Sequence, residues 1–333
     1  MSNKYQFSID RGGTFTDIHC ILPSGQEIVR KLLSEDPDNY PDAPTEGIRR
    51  VLYDFDKANQ GKGEYNRGDQ VYTGTIGSIR MGTTVATNAL LERKGERMGL
   101  LITKGFRDLL KIGNQSRKDI FDLTCAMPGL LYEDVKEVDE RVMLAQFFDE
   151  NVNGSIEDYK DEVLDKLGSP KAGYGPRIEK TLTGETVIDL KLPDMEEVKA
   201  QLEEFREKGI KSVAIVFAHS FTYDAHEQMV GKLAEEMGCF TEVSMSSKVM
   251  PMVRLVNRGH TACAAAYLTP KISTYLSSFR RGFDKGLDDV MLTFMKSDGG
   301  LTPVDDFGGH QAILSGPAGG VIVSFIYDVL AHS

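Results

Sequence analysis

The chain has 333 residues, of which 41% are hydrophobic, and it carries a formal net charge of −11. This length allows a buried core and about two domains, while the acidic charge argues against nucleic acid or an anionic membrane as a partner. No apolar run approaches the ~20 residues that span a bilayer. No targeting signal is expected, since a strand is predicted almost at once, and the four cysteines form no C-x-x-C pair. Together these features predict a reduced cytoplasmic (cytosolic) α/β protein.

Three short strands are predicted at the beginning of the chain, over residues 5–10, 14–22 and 26–33. The pair Gly12-Gly13 forms the first turn between them, because glycine accepts a positive φ without penalty. Residues 23–25, Pro-Ser-Gly, form the second turn. Three strands joined by tight turns predict an antiparallel meander.

A helix followed by a buried strand is predicted after residue 193. Asp194 can cap the helix, and Glu197 lies three residues on as a capping box requires. Apolar residues then follow at helical spacing, at Met195, Val198, Leu202 and Phe205. Gly209 ends the helix, and the continuous apolar run over residues 212–217 is typical of a strand buried on both faces.

A second helix and strand repeat this order. The helix, over about residues 224–237, places four apolar residues on one face: Met229, Val230, Leu233 and Met237. A strand follows over residues 240–245. Alternation of helix and strand is typical of a mostly parallel sheet covered by helices. Residues 57–70 are predicted to be a polar loop, and residues 150–187 an exposed insertion or hairpin.

The strongest functional signal lies at residues 10–17, Asp-Arg-Gly-Gly-Thr-Phe-Thr-Asp. Phosphate oxygens need backbone N–H groups that approach closely, and Gly12 and Gly13 remove the Cβ atoms in the way. The hydroxyls of Thr14 and Thr16 can add donors. Asp10 is placed to hold Mg²⁺, through waters, since that ion keeps much of its hydration shell. The alternative is an ordinary hairpin with a Gly-Gly turn.

Two further segments suit an anion. Gly82, Thr83 and Thr84 open a predicted helix, whose free N–H groups can bind phosphate or can simply be capped. Asn88, one helical turn on, can point at the same ligand or bond a neighbouring loop. A Gly-rich turn over residues 315–320 can approach nucleotide or allow close packing; its glycines are Gly316, Gly319 and Gly320.

Other polar residues allow either a functional or a purely structural interpretation. Asp298, followed by Gly299 and Gly300, is either a functional acid or a plain Asp-Gly turn. Arg258 and His260 can contact a carboxylate or phosphate, although a histidine beside glycine is more often a structural hydrogen-bonding group.

The chain resembles a known family in these and other motifs. Asp-x-Gly-Gly-Thr-x-x-Asp at residues 10–17 is similar to the first phosphate loop of the actin/Hsp70/sugar-kinase superfold. Further stretches resemble the hydantoinase A/oxoprolinase family: Ser34–Pro37, Pro44–Ile48, Arg80–Arg93, Ile112–Gln115, Asp119–Phe121, Arg258–Thr261, Tyr267–Pro270, Ser297–Gly300 and Leu314–Gly320. The Met-Gly-Thr-Thr form at residues 81–84 is similar to the family's 5-oxoprolinases. The resemblance covers the chain to about residue 321.

The resemblance implies both a fold and a reaction. The expected fold is an α/β, ribonuclease H-like lobe that opens with the three-strand meander. The expected reaction is ATP-dependent hydrolysis of 5-oxo-L-proline to L-glutamate, with ATP and Mg²⁺. Asp10 and Asp17 are the candidate catalytic carboxylates, with Asp10 on the metal. A B-type hydrolytic region or subunit is the implied partner, and a homodimer is expected in the full-length form.

The resemblance also implies two domains and a departure from the family. Residues 1–235 correspond to its N-terminal domain, and residues 240–333 to the beginning of its A domain. The family's second Asp-x-Gly-Gly-Thr-x-x-Asp loop does not follow, so the second lobe is expected to be truncated and the chain alone to bind MgATP weakly without turnover. Ala265 stands where related sequences often have Asp. The alternatives are a hydantoinase or ketone carboxylase subunit, or an inactive half-lobe that acts by binding.

Overall fold

A computed structural model describes residues 4–55, 69–114, 119, 121–122, 124–125, 128–144, 177–181 and 183–318. Residues 57–68 of the predicted polar loop lie outside the described residues, and so do residues 150–176 of the predicted insertion. The chain divides into two compact units, one within Met1–Gly95 and Leu268–Ser333 and the other within Glu96–Tyr267. The boundaries of these units differ from the domain boundary predicted near residues 235–240. That domain boundary stays a prediction.

The described residues form the following elements. The strands are β1 Tyr5–Arg11, β2 Phe15–Ile21, β3 Glu27–Leu33, β4 Ile76–Thr83, β5 Met98–Thr103, β6 Asp134–Val138, β7 Arg141–Leu144, β8 Arg177–Lys180, β9 Thr186–Lys191, β10 Ser212–Val216, β11 Glu242–Met245, β12 Met291–Met295 and β13 Leu301–Pro303. The α-helices are α1 Ala43–Phe55, α2 Val85–Leu91, α3 Leu109–Ile112, α4 Met195–Glu207, α5 Ala225–Glu236, α6 Ser246–Val249 and α7 Leu255–Arg280. Short 3₁₀ helices cover Val304–Asp306 and Gly309–Ala312.

The first unit contains a six-stranded sheet in the order β13-β12-β4-β1-β2-β3. Strands β1, β2 and β3, close to the predicted bounds, pair antiparallel in chain order. Strand β4 then runs parallel to β1 on its other side. The sheet buries one face, on which Phe7, Ile18 and Ile79 are fully inaccessible to solvent. Because side chains alternate along a strand, Asp10 comes to the opposite face.

The second unit contains a four-stranded sheet in the order β11-β10-β5-β6. Every pairing within it is parallel, as the alternation of helices and strands predicts. Residues of β10 are buried throughout, which confirms a strand covered on both faces. A smaller antiparallel sheet, β7-β9-β8, lies in the same unit. Strand β8 falls within the segment predicted as an insertion or hairpin, and its partner β9 begins at the end of that segment and continues past it.

The ends of α4 follow the sequence signals. The Asp194 carboxylate accepts hydrogen bonds from the backbone N–H groups of Glu196 at 3.0 Å and Glu197 at 3.3 Å. Beyond the last turn Gly209 adopts a φ of +73°, which glycine accepts without strain. The predicted apolar stripe is confirmed, since Val198, Leu202 and Phe205 lie in the core of the unit.

The face predicted for α5 is partly wrong. Val230 is fully buried, but Met229 keeps 38% of its surface exposed. The buried face instead carries two polar side chains, His226 at 1% exposure and Glu227 at 0%. Apolar periodicity missed this face, because it assigns polar residues to solvent, whereas these two side chains enter buried hydrogen-bond networks.

Candidate nucleotide-phosphate site

The site is built where β1 and β4 end side by side. Asp10 pairs in register with Gly82, so the Asp10 side chain and the Cα hydrogen that takes the place of a side chain at Gly82 lie on the same face of the sheet. A Cβ atom placed on Gly82 would lie 3.2 Å from the Asp10 carboxylate. Few real Cβ contacts are that short, so the absence of a side chain at Gly82 leaves room for the carboxylate.

The Gly12-Gly13 turn is required for a different reason from the one predicted. Neither residue adopts a positive φ. Instead the Gly12 N–H donates to the carbonyl of Phe15 at 3.0 Å, and a Cβ on Gly12 would lie 2.9 Å from that same oxygen. A Cβ on Gly13 would lie 3.3 Å from the side-chain nitrogen of Asn88. Close approach, and not backbone strain, therefore explains both glycines.

The Gly-rich turn near the end of the described chain reaches the same place. Ser315 donates a hydrogen bond from its hydroxyl to the Thr83 carbonyl at 2.6 Å. A Cβ on the next residue, Gly316, would lie 3.0 Å from the Thr84 methyl carbon and 4.0 Å from the Asp10 carboxylate. Six predicted residues thus converge, which we call the Asp10 cluster: Asp10, Gly13, Gly82, Thr84, Asn88 and Gly316.

Two predicted hydroxyl donors are occupied within the fold. Thr16 is fully buried, and its hydroxyl bonds that of Ser34 at 3.0 Å. Ser34 in turn donates to the Gly12 carbonyl at 2.7 Å. The Thr83 hydroxyl accepts from the backbone N–H of Val85 at 3.2 Å. Both threonines therefore shape the loops, and of the predicted hydroxyls only those of Thr14 and Thr84 remain near the surface.

Thr84 connects the two strand ends through its backbone. Its N–H donates to the carbonyl of Arg11 at 3.0 Å. As the residue before α2 it makes no side-chain cap hydrogen bond within the helix; its hydroxyl lies 3.3 Å from the same Arg11 oxygen. Gly319 and Gly320, the last two predicted glycines, lie outside the described residues.

The two acidic residues of the loop have different surroundings. Asp10 and Asp17 are register partners on adjacent strands, so both side chains lie on one face. Asp17 forms an exposed ion pair with Lys31 at 3.0 Å. Burial, and secondly the charge of Asp17, raise the pKa of Asp10 above its ordinary value. A cation at Asp10 would offset both costs, and Mg²⁺ bound by one or two carboxylates plus phosphate fits this arrangement.

Residues that sequence reasoning did not single out hold the loop in place. The guanidinium carbon of Arg11 lies 5.1 Å from the ring centroid of Tyr275, in cation–π contact. The Tyr275 hydroxyl lies 3.2 Å from the sulfur of Met81. No local signal predicts these contacts, because Tyr275 lies 194 residues from Met81 and still farther from Arg11.

The remaining polar candidates are explained by the fold. The Asp298 carboxylate accepts from the backbone N–H of Gly300 at 2.8 Å, as in a plain Asp-Gly turn. Arg258 is 1% exposed and donates to the Phe217 carbonyl at 2.6 Å and the Ser246 hydroxyl at 2.9 Å. It is therefore a buried structural residue, whereas His260 lies at the surface.

Comparison with solved structures identifies the class of fold. The chain superposes on an ATP-dependent caprolactamase from Pseudomonas jessenii with a TM-score of 0.65 and 22% identity, covering 94% of this chain and 39% of that one. With its mixed sheets, the chain has an α/β fold of the actin/Hsp70/sugar-kinase type. No helix in the described ranges is both long and apolar enough to cross a membrane.

Sequence comparison identifies the family. Residues 6–238 match the hydantoinase/oxoprolinase N-terminal region and residues 258–330 the hydantoinase/oxoprolinase region that follows it. The chain belongs to the hydantoinase/oxoprolinase family. It is 49% identical to a 5-oxoprolinase from Dictyostelium discoideum and 51% identical to 5-oxoprolinase 1 from Arabidopsis thaliana, in each case over 97% of this chain. It spans about a quarter of those relatives, 24% and 23% of their lengths.

Proposed function

We propose that this chain supplies the first ATP-phosphate loop of an enzyme that hydrolyses 5-oxo-L-proline to L-glutamate at the expense of ATP. The observation that carries the proposal is the Asp10 cluster, in which three distant segments meet around one carboxylate. The two relatives named 5-oxoprolinase support the choice of substrate. In the family this reaction also needs a B-type hydrolytic region, and we propose one as the partner of this chain in a cytosolic, dimeric enzyme.

The chemistry explains why ATP is needed. Amide resonance makes the lactam carbonyl a poor electrophile, so its oxygen must become a leaving group. Attack of that oxygen on the γ-phosphorus of ATP forms an O–P bond, breaks the bond to the bridging oxygen and releases ADP. A first water then adds to the ring carbon, and the C–N bond breaks with a proton going to nitrogen, which leaves an acyl phosphate. A second water hydrolyses the acyl phosphate to the carboxylate and phosphate. With two waters consumed, the products balance as L-glutamate, ADP and phosphate.

The residues of the Asp10 cluster have defined tasks in this proposal. The Gly12 N–H is already bonded within the turn, so the N–H groups of Gly13 and Thr14 are the donors available to phosphate. Asp10 would hold Mg²⁺, which neutralises charge on the phosphates. Asn88, beside Gly13, can donate from its amide. The chain's contribution to the rate is positioning and charge stabilisation.

Two measurements test the proposal. On the chain itself, titration calorimetry should detect MgATP binding that Asp10→Asn removes. In a protein of the relatives' full length that contains this sequence, 5-oxo-L-proline should stimulate ATP hydrolysis. Stimulation by hydantoin or acetone alone would favour the hydantoinase or ketone carboxylase reading. Unchanged MgATP binding in Asp10→Asn would refute the phosphate site.

A further inference from the structure

The parallel sheet of the second unit has a topological switch point. From the adjacent strands β5 and β10, the chain continues to β6 on one side and to β11 on the other. Between the carboxyl ends of two such strands a crevice opens, and ligands of open α/β sheets bind there. Thr103 ends β5 at this edge, and His219 follows β10 by three residues.

His219 holds a strained backbone conformation. Its φ is +62°, in the left-handed region that few residues other than glycine adopt. The turn is closed by its carbonyl, which accepts from the N–H groups of Thr222 and Tyr223, both at 3.1 Å. Such strain persists only where the surroundings over-determine it, and it concentrates at functional sites.

One buried ionic network fixes the residue before His219. The Ala218 N–H donates to the Thr103 hydroxyl at 2.8 Å, and that hydroxyl donates to Glu140. His226 lies 2.7 Å from the other Glu140 oxygen and 3.2 Å from Asp189. The three ionisable residues are at most 3% exposed, so this network cannot rearrange into water.

A second buried network fixes the other side of the turn. The Glu227 carboxylate accepts from the Phe217 N–H and the Ser220 hydroxyl, both at 2.8 Å. Arg258 donates to the Phe217 carbonyl at 2.6 Å. Buried charged groups are often no more stabilising than apolar residues of the same size, so two hydrogen-bonded networks of such groups around one four-residue segment are better explained by positioning than by stability.

The half-buried imidazole of His219, which these networks position, forms no hydrogen bond to the part of the protein that the structure describes. Burial, and then the charge of Arg258, lower its pKa below the ordinary value; Glu140 opposes this shift, Arg141 adds a smaller lowering, and Glu185 a smaller opposition. The ring is therefore neutral at neutral pH, with one donor and one acceptor nitrogen.

Arg141 supplies a cation at the same end of β5, because it binds Lys104, the residue after Thr103. Its guanidinium donates to the Lys104 carbonyl at 2.8 Å and lies 5.6 Å from the centroid of the Phe106 ring. In the described part of the chain it forms no ion pair with a carboxylate, although the protein as a whole is acidic. A planar guanidinium that is held in place and unpaired is suited to bind a carboxylate.

We infer that His219 and Arg141 form a binding site for a small carboxylate-bearing amide, in which Arg141 binds the carboxylate and His219 hydrogen-bonds the amide. The assignment of that ligand as 5-oxo-L-proline rests on the proposed function. The site itself rests on the switch point, the left-handed turn and the two networks that hold it.

The test measures binding to the whole chain in the absence of nucleotide, by calorimetry or ligand-observed NMR. The probes are 5-oxo-L-proline and 2-pyrrolidinone, the same lactam without the carboxylate. We expect 5-oxo-L-proline to bind at least ~10-fold more tightly than 2-pyrrolidinone, since each tenfold step is about 1.4 kcal/mol and a charged hydrogen bond is worth about that much or more. Arg141→Gln should abolish this preference.

His219→Asn is the decisive variant, because asparagine tolerates the left-handed backbone but lacks the imidazole. It should weaken 5-oxo-L-proline binding at least ~10-fold with an unchanged Tm. Arg93→Asn is the matched control, since Arg93 also has a positive φ, of +56°, and lies at the surface. Equal binding by His219→Asn and the parent, or no binding of 5-oxo-L-proline by the parent, would overturn the inference.

The result of the lactam-binding test can be distinguished from the result of the MgATP-binding test of the phosphate site. MgATP binding that is lost in Asp10→Asn supports the phosphate site whether or not the lactam binds. Lactam binding that is lost in His219→Asn supports the present site even if Asp10→Asn leaves MgATP binding unchanged.

Discussion

Ser315 and Thr83, 232 residues apart in the chain, are joined by a hydrogen bond from the serine hydroxyl to the threonine carbonyl at 2.6 Å. The same hydroxyl lies 3.4 Å from the Thr83 N–H, as its acceptor. Ser315 is fully buried, so water cannot replace it. This one side chain holds the Gly316 turn against the end of β4, and with it one wall of the Asp10 cluster.

Ser315→Ala should therefore affect both stability and binding. Loss of the hydroxyl leaves buried backbone groups without a partner, which costs about 1–3 kcal/mol of the free energy of unfolding. MgATP affinity should fall as the Gly316 turn moves. Denaturant unfolding and calorimetry measure the two effects. Ser278→Ala, at an exposed position of α7, should change neither; equal effects of the two substitutions would show that the hydroxyl has no special role.

Asp10→Asn should weaken binding and stabilise the fold. Folding raises the pKa of the Asp10 carboxyl, so the protonated form favours the native state and the charged form does not. The stabilisation from the protonated form is complete below pH 3.8, the ordinary pKa. It is lost as pH rises through the pKa of the folded protein. At neutral pH without Mg²⁺ or nucleotide, the variant should have the higher Tm, and the difference should vanish by about pH 3. A lower Tm at neutral pH would contradict this reading of the site.

Asp17→Asn provides the contrast. Asp17 is paired with Lys31 at the surface, so its removal should weaken MgATP binding far less than removal of Asp10. It also removes one of the two causes of the raised pKa of Asp10, so the Asp10 titration should move toward lower pH. Carboxyl NMR chemical shifts measure that change. Equal losses of affinity in the two variants would give Asp17 a direct role at the phosphates.

Gly82→Ala tests whether space beside Asp10 is required. The added Cβ would lie 3.2 Å from the Asp10 carboxylate, so the carboxylate must shift. We expect MgATP affinity to fall at least ~10-fold, or about 1.4 kcal/mol, with little change in Tm. Ser78→Ala, on the same strand and the same face, is the matched control. Unchanged affinity in Gly82→Ala would show that the carboxylate can move freely.

His226 makes the stability of the second unit depend on pH. Although burial lowers its pKa, the neighbouring carboxylates of Asp189 and Glu140 raise it to about 9 from an ordinary 6.5. The stabilisation is therefore fully present below pH 6.5 and is lost as pH rises through about 9. This loss amounts to about 3 kcal/mol of the free energy of unfolding. Urea unfolding between these pH values should show the loss, and His226→Gln should remove the pH dependence.

Local patterns predicted several elements of this protein and the motif that we propose as its phosphate loop. Capping at Asp194, the turn at Gly209 and the apolar run of β10 depend on neighbours a few residues away, so the sequence carries them directly. The motif at residues 10–17 likewise specifies a strand, a close turn and a second strand. The Met229 face of α5 was misassigned, because burial of His226 depends on Glu140 and Asp189, which are far away along the chain. The positive φ expected at Gly12-Gly13 was also wrong.

The tertiary structure alone decided which of these residues meet. It brings Gly82, Asn88 and Gly316 to Asp10 through strand pairing and the Ser315–Thr83 hydrogen bond, and it turns the Thr16 hydroxyl inward to Ser34. It also sets His219 in a left-handed turn between two buried ionic networks. The physical reason is the same throughout: hydrogen bonding and close packing between segments far apart in sequence depend on the register of the sheet, which no local pattern records.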